Sequence, residues 1–252
     1  MRFRTFSSGS DGNSALVWQS GTYILIDAGI SLRRITKSLA ECGITPDKLS
    51  AVLITHEHRD HIGGLDMLHK HYPDIPLYMS CGTARAIGLD DAECGFSGTL
   101  VIGDLLAGAF ETSHDSEQSY GFTFSDGKRK LAYATDLGKV TAAVQNAVLG
   151  AHMAFLESNH DSRMLRSGPY PYALKRRIAG DSGHLSNDDA ADFAALLAAN
   201  GTEQISLAHL SHENNAPQIA LDTVVSRLNC YGYRDTAVDV APRWDLSNIY
   251  EV

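Results

Sequence analysis

Short apolar segments typical of β-strands alternate along this chain with segments of helical spacing, and this alternation favours an α/β fold. Strands are predicted at residues 15–19, 23–27, 51–55, 106–112, 120–125, 130–135, 151–157 and 204–208. Helices are predicted at residues 30–42, 61–72, 186–199 and 217–228. Because no repeat or low-complexity linker divides these segments, we expect residues 1–252 to form one domain.

Local turn and capping signals support several of these boundaries. Ser20 and Gly21 lie between the first two predicted strands and favour a hairpin. Gly43 suits the end of the first helix. Ser186 can cap the helix that follows it, and Asp189 stands at the capping-box position.

Residues that can bind metal or move protons recur where predicted strands end. His56, Asp136 and His209 each follow a strand directly, and Glu157 closes another. Open α/β sheets place their sites at the carboxyl ends of the strands. A scatter of structural core histidines would not follow this arrangement, so we expect these residues to meet at one edge of a sheet.

The densest group of such residues lies in the segment Thr55-His56-Glu57-His58-Arg59-Asp60-His61-Ile62-Gly63-Gly64. Four potential ligands fall within six residues, between a buried strand and a helix: His56, His58, Asp60 and His61. A surface loop without a ligand is the alternative, but it does not explain this density. Imidazole nitrogen and carboxylate oxygen suit Zn²⁺, Mn²⁺ or Fe²⁺.

The motif H-x-H-x-D-H resembles the signature of the metallo-β-lactamase superfamily, and further residues follow in that family's order. Taken alone, His114 and His209 could each be structural. The resemblance implies two divalent metal ions with a bridging carboxylate from Asp136. It assigns one ion to His56, His58 and His114, and the other to Asp60, His61 and His209.

A narrower resemblance, to the bacterial YycJ/WalJ branch, covers the chain essentially from end to end. Its motifs are Ser8 to Ser14 (SGSDGNS), Ile26 to Gly29 (IDAG), Glu157 to Asp161 (ESNHD), Gly168 to Pro171 (GPYP), Lys175 to Ile178 (KRRI), Gly183 to Asn187 (GHLSN) and Glu213 to Asn215 (ENN). The branch implies an αββα sandwich with four layers, in which two mixed sheets face each other and helices lie outside. It also implies 5′-to-3′ exonuclease activity on DNA.

Glu157 and His184 match positions that, in the related tRNA 3′-processing enzymes, pair beside the metals and assist proton transfer. A histidine held by a carboxylate is protonated more readily and can donate to a leaving alkoxide. We therefore predict catalytic roles for His184 and Glu157, together with Asp60. The alternative is a buried salt bridge at Glu157 and a purely structural His184 at the start of a helix.

Candidate substrate-binding residues come from two sources. Between Arg163 and Arg177 the chain carries five basic residues and no acidic one, and this cluster lies between Glu157 and His184 in sequence. Lys175, Arg176 and Arg177 are its densest part and could hold a flanking phosphate, or form a solvated basic surface. Four further residues could bind substrate or shape loops: Ser10, Asn13, Asn214 and Asn215.

Composition limits the compartment and the partner. The net charge of −9 argues against broad electrostatic capture of nucleic acid, although the basic cluster shows that charge is unevenly distributed. The N-terminus has no apolar region of a secretory signal, and no apolar run could span a membrane. The cysteines are far apart and form no C-x-x-C, so we expect free thiols in the cytoplasm: Cys42, Cys81, Cys94 and Cys230.

These observations predict a hydrolase that uses metal-activated water, most plainly a phosphodiesterase or nuclease acting on DNA. A small-molecule or cyclic-nucleotide phosphodiesterase is the nearest alternative, and a thioester or lactone hydrolase is more distant. A metal-binding scaffold that has lost activity belongs to another class, which the complete ligand set opposes. The sequence leaves open the metal, the polymer, the polarity of attack and the oligomeric state.

Overall fold

A computed structural model describes residues 1–89 and 95–252 and shows two mixed β-sheets. The first sheet has the strand order β13-β1-β2-β3-β4-β5, and the second has the order β12-β11-β10-β9-β8-β7-β6. Within the first sheet β3, β4 and β5 run parallel, and within the second β9 to β12 do. The strands are β1 Arg2–Ser7, β2 Ser14–Gln19, β3 Thr22–Ile26, β4 Ala51–Leu53, β5 Leu77–Tyr78, β6 Thr99–Ile102, β7 Leu105–Glu111, β8 Tyr120–Ser125, β9 Lys130–Ala134, β10 Met153–Glu157, β11 Gln204–Ala208, β12 Ala237–Val240 and β13 Tyr250–Glu251.

Helices cover the outer face of each sheet. The described helices are α1 Leu32–Ala40, α2 Arg59–Ile62, α3 Leu65–His71, α4 Cys81–Ala86, α5 Ala142–Val148, α6 Ser162–Ser167, α7 Tyr172–Ile178, α8 Asn187–Ala199 and α9 Pro217–Tyr231, with a short 3₁₀ turn at Pro46–Lys48. Ile35 and Leu39 of α1 pack on the first sheet, while Val144 of α5 and Phe193 of α8 pack on the second. The predicted αββα sandwich is therefore confirmed.

The central core lies between the two sheets and is built by strict alternation along the strands. Met153 and Phe155 of β10 point into this core, whereas Ala154 and Leu156 point to the helices outside the second sheet. Both faces of β10 are thus buried, as expected for a central parallel strand. This explains why its sequence is a continuous apolar run rather than an alternating one.

Several local predictions agree with the structure. Ser20 and Gly21 both have positive φ, 47° and 93°, which is the two-residue hairpin turn that joins β2 to β3. Ser186 caps α8, where its hydroxyl accepts a hydrogen bond from the backbone N–H of Asp189. Cys42, Cys81 and Cys230 are free thiols, and Cys94 lies outside the described residues.

The predicted helix over residues 61–72 is wrong as a single element. The chain instead forms α2 and α3, which are separated at Gly63 and Gly64. The N–H of Gly64 donates to the carbonyl of Ala28 at 2.7 Å, and a side chain on Gly64 would overlap the carbonyl oxygen of Ile30. The close approach of a distant loop, which helical spacing cannot register, causes the break.

The sequence patterns did not predict the strands β1, β5, β6, β12 and β13 or the helices α4 to α7. Pairing from the far end of the chain contributes to β1, which lies between β2 and β13. Within the described ranges, no helix is long and apolar enough to cross a membrane.

Candidate metal centre

The candidate site lies at the edge where parallel strands of both sheets end. Asp27 follows β3, and the ligand segment that begins at His56 follows β4. From the second sheet, Asp136 follows β9, Glu157 ends β10 and His209 follows β11. The predicted convergence at strand ends is therefore observed, and it joins residues of the two sheets in one cluster.

Backbone strain concentrates at this edge. Asp27, Asp136 and His209 have φ values of 57°, 57° and 55°, in the left-handed region that non-glycine residues seldom occupy. In the described part of the chain only Ser20, in the hairpin turn, shares this property among non-glycine residues. Each of the three turns sharply just after its strand, which directs a carboxylate or imidazole into the site. Strain held by the surrounding structure in this way is typical of functional sites.

The three histidines predicted to hold the first ion lie together. Nε2 of His114 is 3.2 Å from Nδ1 of His58, and the ring centroids of His56 and His58 are 4.6 Å apart. One ligand atom from each of His56, His58 and His114 falls within 4.8 Å of the others. This spacing suits three nitrogen ligands around one cation.

The residues predicted to hold the second ion form an adjoining group. Oδ2 of Asp60 lies 3.5 Å from Nε2 of His61 and 3.5 Å from Nε2 of His209. Asp136 reaches both groups, because its Oδ2 is 3.4 Å from Nε2 of His61 and its Oδ1 is 3.8 Å from Nε2 of His114. This is the position that a bridging carboxylate requires.

Four of the histidines have Nδ1 engaged by a protein acceptor. His56 bonds the Thr55 hydroxyl at 3.1 Å, His61 bonds Asp27 at 2.8 Å, His114 bonds the carbonyl of Gly183 at 3.0 Å and His209 bonds Glu157 at 2.9 Å. A proton on Nδ1 leaves the Nε2 lone pair free. Hydrogen bonds of this kind orient metal-ligating histidines.

Three buried atoms at the centre lack a hydrogen-bond partner among the described residues: Nε2 of His56, Nε2 of His209 and Oδ2 of Asp136. Buried polar atoms are nearly always satisfied, and all three are good metal ligands. The donor set of imidazoles and carboxylates therefore fits the divalent cations that the fold implies.

The electrostatics of the centre favour positive charge. Burial alone would lower the pKa of His209, but Asp136, Asp60 and Glu157 outweigh it and raise that pKa to about 10. Burial likewise opposes a rise at His61, yet Asp27, Asp60 and Asp136 hold its pKa well above the ordinary value.

The imidazoles of the first group behave in the opposite way. Burial, helped by the neighbouring His61, holds the pKa of His56 well below its ordinary value, and burial also lowers the pKa of His114. Against the penalty of burial, the surrounding histidines keep the pKa of Asp136 well below that of a free aspartate. His56 and His114 are thus neutral beside a carboxylate that remains ionised, the state that metal binding requires, whereas His61 and His209 would each release a proton to bind an ion.

Two other loops, one before β2 and one after β3, hold the ligand segment in place. Ala28 N–H donates to the carbonyl of His61 at 2.8 Å, and Asn13 N–H donates to that of Asp60 at 2.7 Å. Gly29 packs so closely on this segment that a side chain would overlap the carbonyl oxygen of Asp60. The carboxylate of Asp27 accepts the Nδ1–H of His61 and the backbone N–H of Thr55, both at 2.8 Å. The loop after β3 thus sets both the position and the tautomer of His61.

Glu157 is buried and accepts from four donors. His184 and His209 bond its Oε1 at 2.8 and 2.9 Å, while the backbone N–H groups of Leu137 and Leu185 bond its Oε2 at 2.7 and 3.2 Å. Despite burial, His184 and these hydrogen bonds lower the pKa of Glu157 to about 2. The predicted contact with His184 is therefore present. Both carboxylate oxygens of Glu157 are therefore engaged within the fold, and the residue does not line the cavity.

The basic cluster is only partly at the site. Arg177 lines the cavity over the metal ligands and forms an ion pair with Asp115. Arg176 is exposed, with its guanidinium 6.0 Å from the ring centroid of Tyr172, and Lys175 bonds the carbonyl of Arg166 at 2.8 Å. Of the three, only Arg177 lines the cavity.

The four uncharged candidates for substrate binding are placed differently from one another. Ser10 is exposed and lines the cavity. The amide of Asn13 is buried against Asp60 and His61, so it supports ligands rather than facing the opening. The amide of Asn215 donates to the carbonyls of Ser158 and Asn159 at 2.9 and 3.0 Å.

For Asn215 this arrangement favours the loop-shaping alternative over the predicted substrate contact, since its amide is already used within the fold. Asn214 is also buried, and its side chain packs so closely on Gly168 that a side chain added at Gly168 would overlap Oδ1 of Asn214. It is therefore pressed against a neighbouring loop and does not line the cavity.

Three residues that support the site were not predicted from the sequence. The Thr55 hydroxyl links Asp27 to two ligands, the carbonyl of Gly183 orients His114, and the Ser8 hydroxyl accepts the backbone N–H of His209 at 2.9 Å. Thr55 and Gly183 each adjoin a predicted site residue, which is a weak signal. Ser8 is separated from His209 by 201 positions, and only the fold brings them together.

A family model described as a beta-lactamase superfamily domain matches residues 22–209, the range that contains every predicted metal ligand. The exodeoxyribonuclease YycJ of Bacillus anthracis is 36% identical over 241 residues, which is 92% of this chain and 91% of that protein. The exodeoxyribonuclease WalJ of Streptococcus pneumoniae is 37% identical over 237 residues, which is 90% of this chain and 88% of that protein.

Solved structures share the architecture. The metallo-β-lactamase fold protein YhfI from Bacillus subtilis superposes with a TM-score of 0.75 at 15% identity, covering 98% of each chain. The short form of human tRNase Z gives a TM-score of 0.67 at 16% identity and covers all of both chains. At these identities the likeness concerns the fold alone.

The contact between Asp27 and His61 gives a direct test of the clamp. Asp27→Asn should weaken cation binding by about 10- to 100-fold, because the amide no longer fixes the tautomer of His61. Titration of chelator-treated protein with Zn²⁺ or Mn²⁺, followed by calorimetry, measures this loss. Asp66→Asn, an exposed aspartate on α3, is the matched control. Unchanged affinity in Asp27→Asn would contradict the supporting role.

Proposed function

This chain belongs to the metallo-β-lactamase superfamily, in its YycJ/WalJ-like branch, and we propose that it is an exodeoxyribonuclease that uses two divalent metal ions. It is a metal-dependent hydrolase with the relatives' nuclease chemistry. We propose Zn²⁺, Mn²⁺ or Fe²⁺ as the ions and the cytoplasm as the compartment, since the free thiols are typical of a reducing environment.

The observation that carries the proposal is the adjacency of two ligand groups that share Asp136. His56, His58 and His114 form one group, and Asp60, His61 and His209 form the other. Two cations so placed lower the pKa of water and stabilise the negative charge that develops on a phosphate during hydrolysis. This supports phosphodiester cleavage over reactions that need one ion.

The chain's own residues supply the remaining steps. Nδ1 of His184 is tied to Glu157, so its Nε2 is the atom that can donate a proton to the leaving oxygen. The side chain of His184 is 20% exposed and lines the cavity, whereas Glu157 is buried behind it. Arg177, at the cavity wall, would exchange its ion pair with Asp115 for a substrate phosphate.

The general test is an activity screen on 5′-labelled duplex DNA, single-stranded DNA and RNA in the presence of Mn²⁺ or Zn²⁺. We expect DNA to be degraded from one end. Attack from the 5′ end releases the label at once in a very short product, whereas attack from the 3′ end leaves a ladder of labelled, shortened strands. Hydrolysis of bis-p-nitrophenyl phosphate or cyclic nucleotides with no degradation of any polymer would favour a small-molecule phosphodiesterase instead. No hydrolysis of any phosphodiester by fully loaded protein would overturn the proposal.

The first prediction concerns the number of ions. Purified protein should bind two transition-metal ions per chain, and Asp136→Ala should lose most of the second, because the shared ligand is removed. Elemental analysis of folded, fully loaded protein measures this, with the exposed Asp74→Ala as control. One equivalent or less in the wild type would count against the bridging assignment.

The second prediction concerns Arg176. Arg176→Ala should weaken binding of a DNA oligonucleotide and lower the slope of log Kd against log salt by about one, because one fewer counterion is released. Turnover of a small phosphodiester should fall much less. Arg234→Ala, an exposed arginine beside the amino end of β12, is the matched control. Equal losses on both substrates would instead assign Arg176 to structure or chemistry.

The third prediction concerns proton transfer. His184→Ala should retain both metals and the fold yet lower turnover by about 10²–10⁴-fold, the usual contribution of a general acid. The fall in turnover should be smaller for a p-nitrophenyl ester, whose leaving group needs little protonation. It should reach its full extent for DNA, whose leaving group is an alkoxide. The exposed His71→Ala is the control. Loss of a metal, or equal damage to both substrates, would make His184 a ligand or a structural residue.

Glu157→Gln should reproduce part of this effect, and the double variant should lose little more than His184→Ala, since the pair acts as a unit. Because Glu157 also bonds His209, these assays need saturating metal, so that weakened binding at the second ion does not imitate the loss. A double variant much worse than His184→Ala under these conditions would contradict the coupling.

A further inference from the structure

The cavity above the metal ligands has one apolar wall. It holds about 240 Å³, and its lining residues are polar or charged except for Tyr170, Leu174 and Ile178. These three come from one short stretch of chain, the turn before α7 and α7 itself. The apolar part of the lining therefore comes from one segment of the chain, whereas the imidazoles come from other segments.

Helix α7 does not serve the hydrophobic core. None of its seven described side chains is buried, although helices on globular proteins normally bury an apolar stripe. Leu174 and Ile178 are four positions apart, so they share one side of the helix, and that side faces the cavity. A phosphate group alone would gain nothing from contact with an apolar wall, whereas the sugar and base of a nucleotide would.

The wall is held rigidly at both ends. Pro169 and Pro171 flank Tyr170, and proline restricts the backbone of the residue before it to extended conformations. At the other end, the carbonyl of Ile178 accepts the backbone N–H of His184 at 2.8 Å. A group that binds to the wall is thereby held in a fixed position relative to His184, the histidine proposed to protonate the leaving oxygen.

We propose that Tyr170, Leu174 and Ile178 form a nucleoside-binding wall, on which Tyr170 stacks against the base of the terminal nucleotide. The proposal rests on the proposed function and adds the chemical class that the site selects: phosphodiesters that carry a nucleoside. The cavity is smaller than the roughly 300–1,000 Å³ of pockets that enclose drug-sized ligands, which suits one nucleotide rather than a length of strand.

The test compares two substrates with the same leaving group, thymidine 5′-(p-nitrophenyl phosphate) and methyl p-nitrophenyl phosphate. Tyr170→Ala should lower kcat/KM on the thymidine ester by about 5- to 150-fold more than on the methyl ester, mainly through KM. This range corresponds to about 1–3 kcal/mol of stacking per base. Tyr170→Phe, which keeps the ring, should restore the preference, and Leu174→Asn should reduce it.

Tyr231→Ala is the matched control, because this tyrosine is 63% exposed, lies on α9 and does not line the cavity. Metal content and thermal melting are measured for every variant. A parallel comparison uses DNA oligonucleotides with a normal or an abasic terminal residue, and Tyr170→Ala should remove most of the difference between them.

Two outcomes separate this inference from the function on which it rests. A wild type that hydrolyses phosphodiesters, with a substrate preference unchanged in both Tyr170→Ala and Leu174→Asn, would overturn the nucleoside wall alone. A wild type that hydrolyses no phosphodiester, small or polymeric, would overturn the proposed function and the wall with it.

Discussion

The compensation of buried charge is the constraint on which this structure depends. Asp27, Asp136 and Glu157 are buried carboxylates, and an unpaired buried charge is costly. Imidazoles and hydrogen bonds keep the pKa of Asp136 and of Glu157 below the ordinary value, whereas at Asp27 burial outweighs His61 and Thr55 and raises the pKa. The strained turns after β3, β9 and β11 bring these partners together, and the orphaned atoms that remain are suited to cations.

The same compensation joins the two sheets. The ligand segment and Asp27 follow strands of the first sheet, whereas Asp136, Glu157 and His209 follow strands of the second. Cations held between these groups would bind the folded chain far more tightly than the unfolded one, so their binding free energy would add to its stability. Ion binding at this edge would therefore also hold the two sheets together.

Sequence patterns predicted the parts of this arrangement that are local. Strand ends located His56, Asp136 and His209, and the residues that the motifs assign to each ion lie close together in the structure. The structure also brings Glu157 and His184 close to Asp136 and His209, a grouping that the motifs did not assign to an ion. The break at Gly64 depends on a loop more than thirty residues earlier, and the link from Glu157 to His209 depends on the pairing of β10 with β11. Residue types alone also made Asn215 and Ser10 equal candidates for substrate binding. The amide of Asn215 is hydrogen-bonded within the fold, whereas Ser10 is exposed to solvent. Tertiary approach, not composition, distinguishes them.

Gly183 contacts two parts of the site that have different chemical roles, the predicted metal ligands and the apolar wall of the cavity. Its carbonyl accepts Nδ1–H of His114, a ligand of the first group, and a side chain on it would overlap the carbonyl oxygens that end α7. One peptide segment therefore touches both the imidazole that meets the ion and the helix that walls the cavity. Sites connected in this way are thermodynamically reciprocal: any change in ion affinity caused by an occupant at α7 is returned as an equal change in the affinity for that occupant.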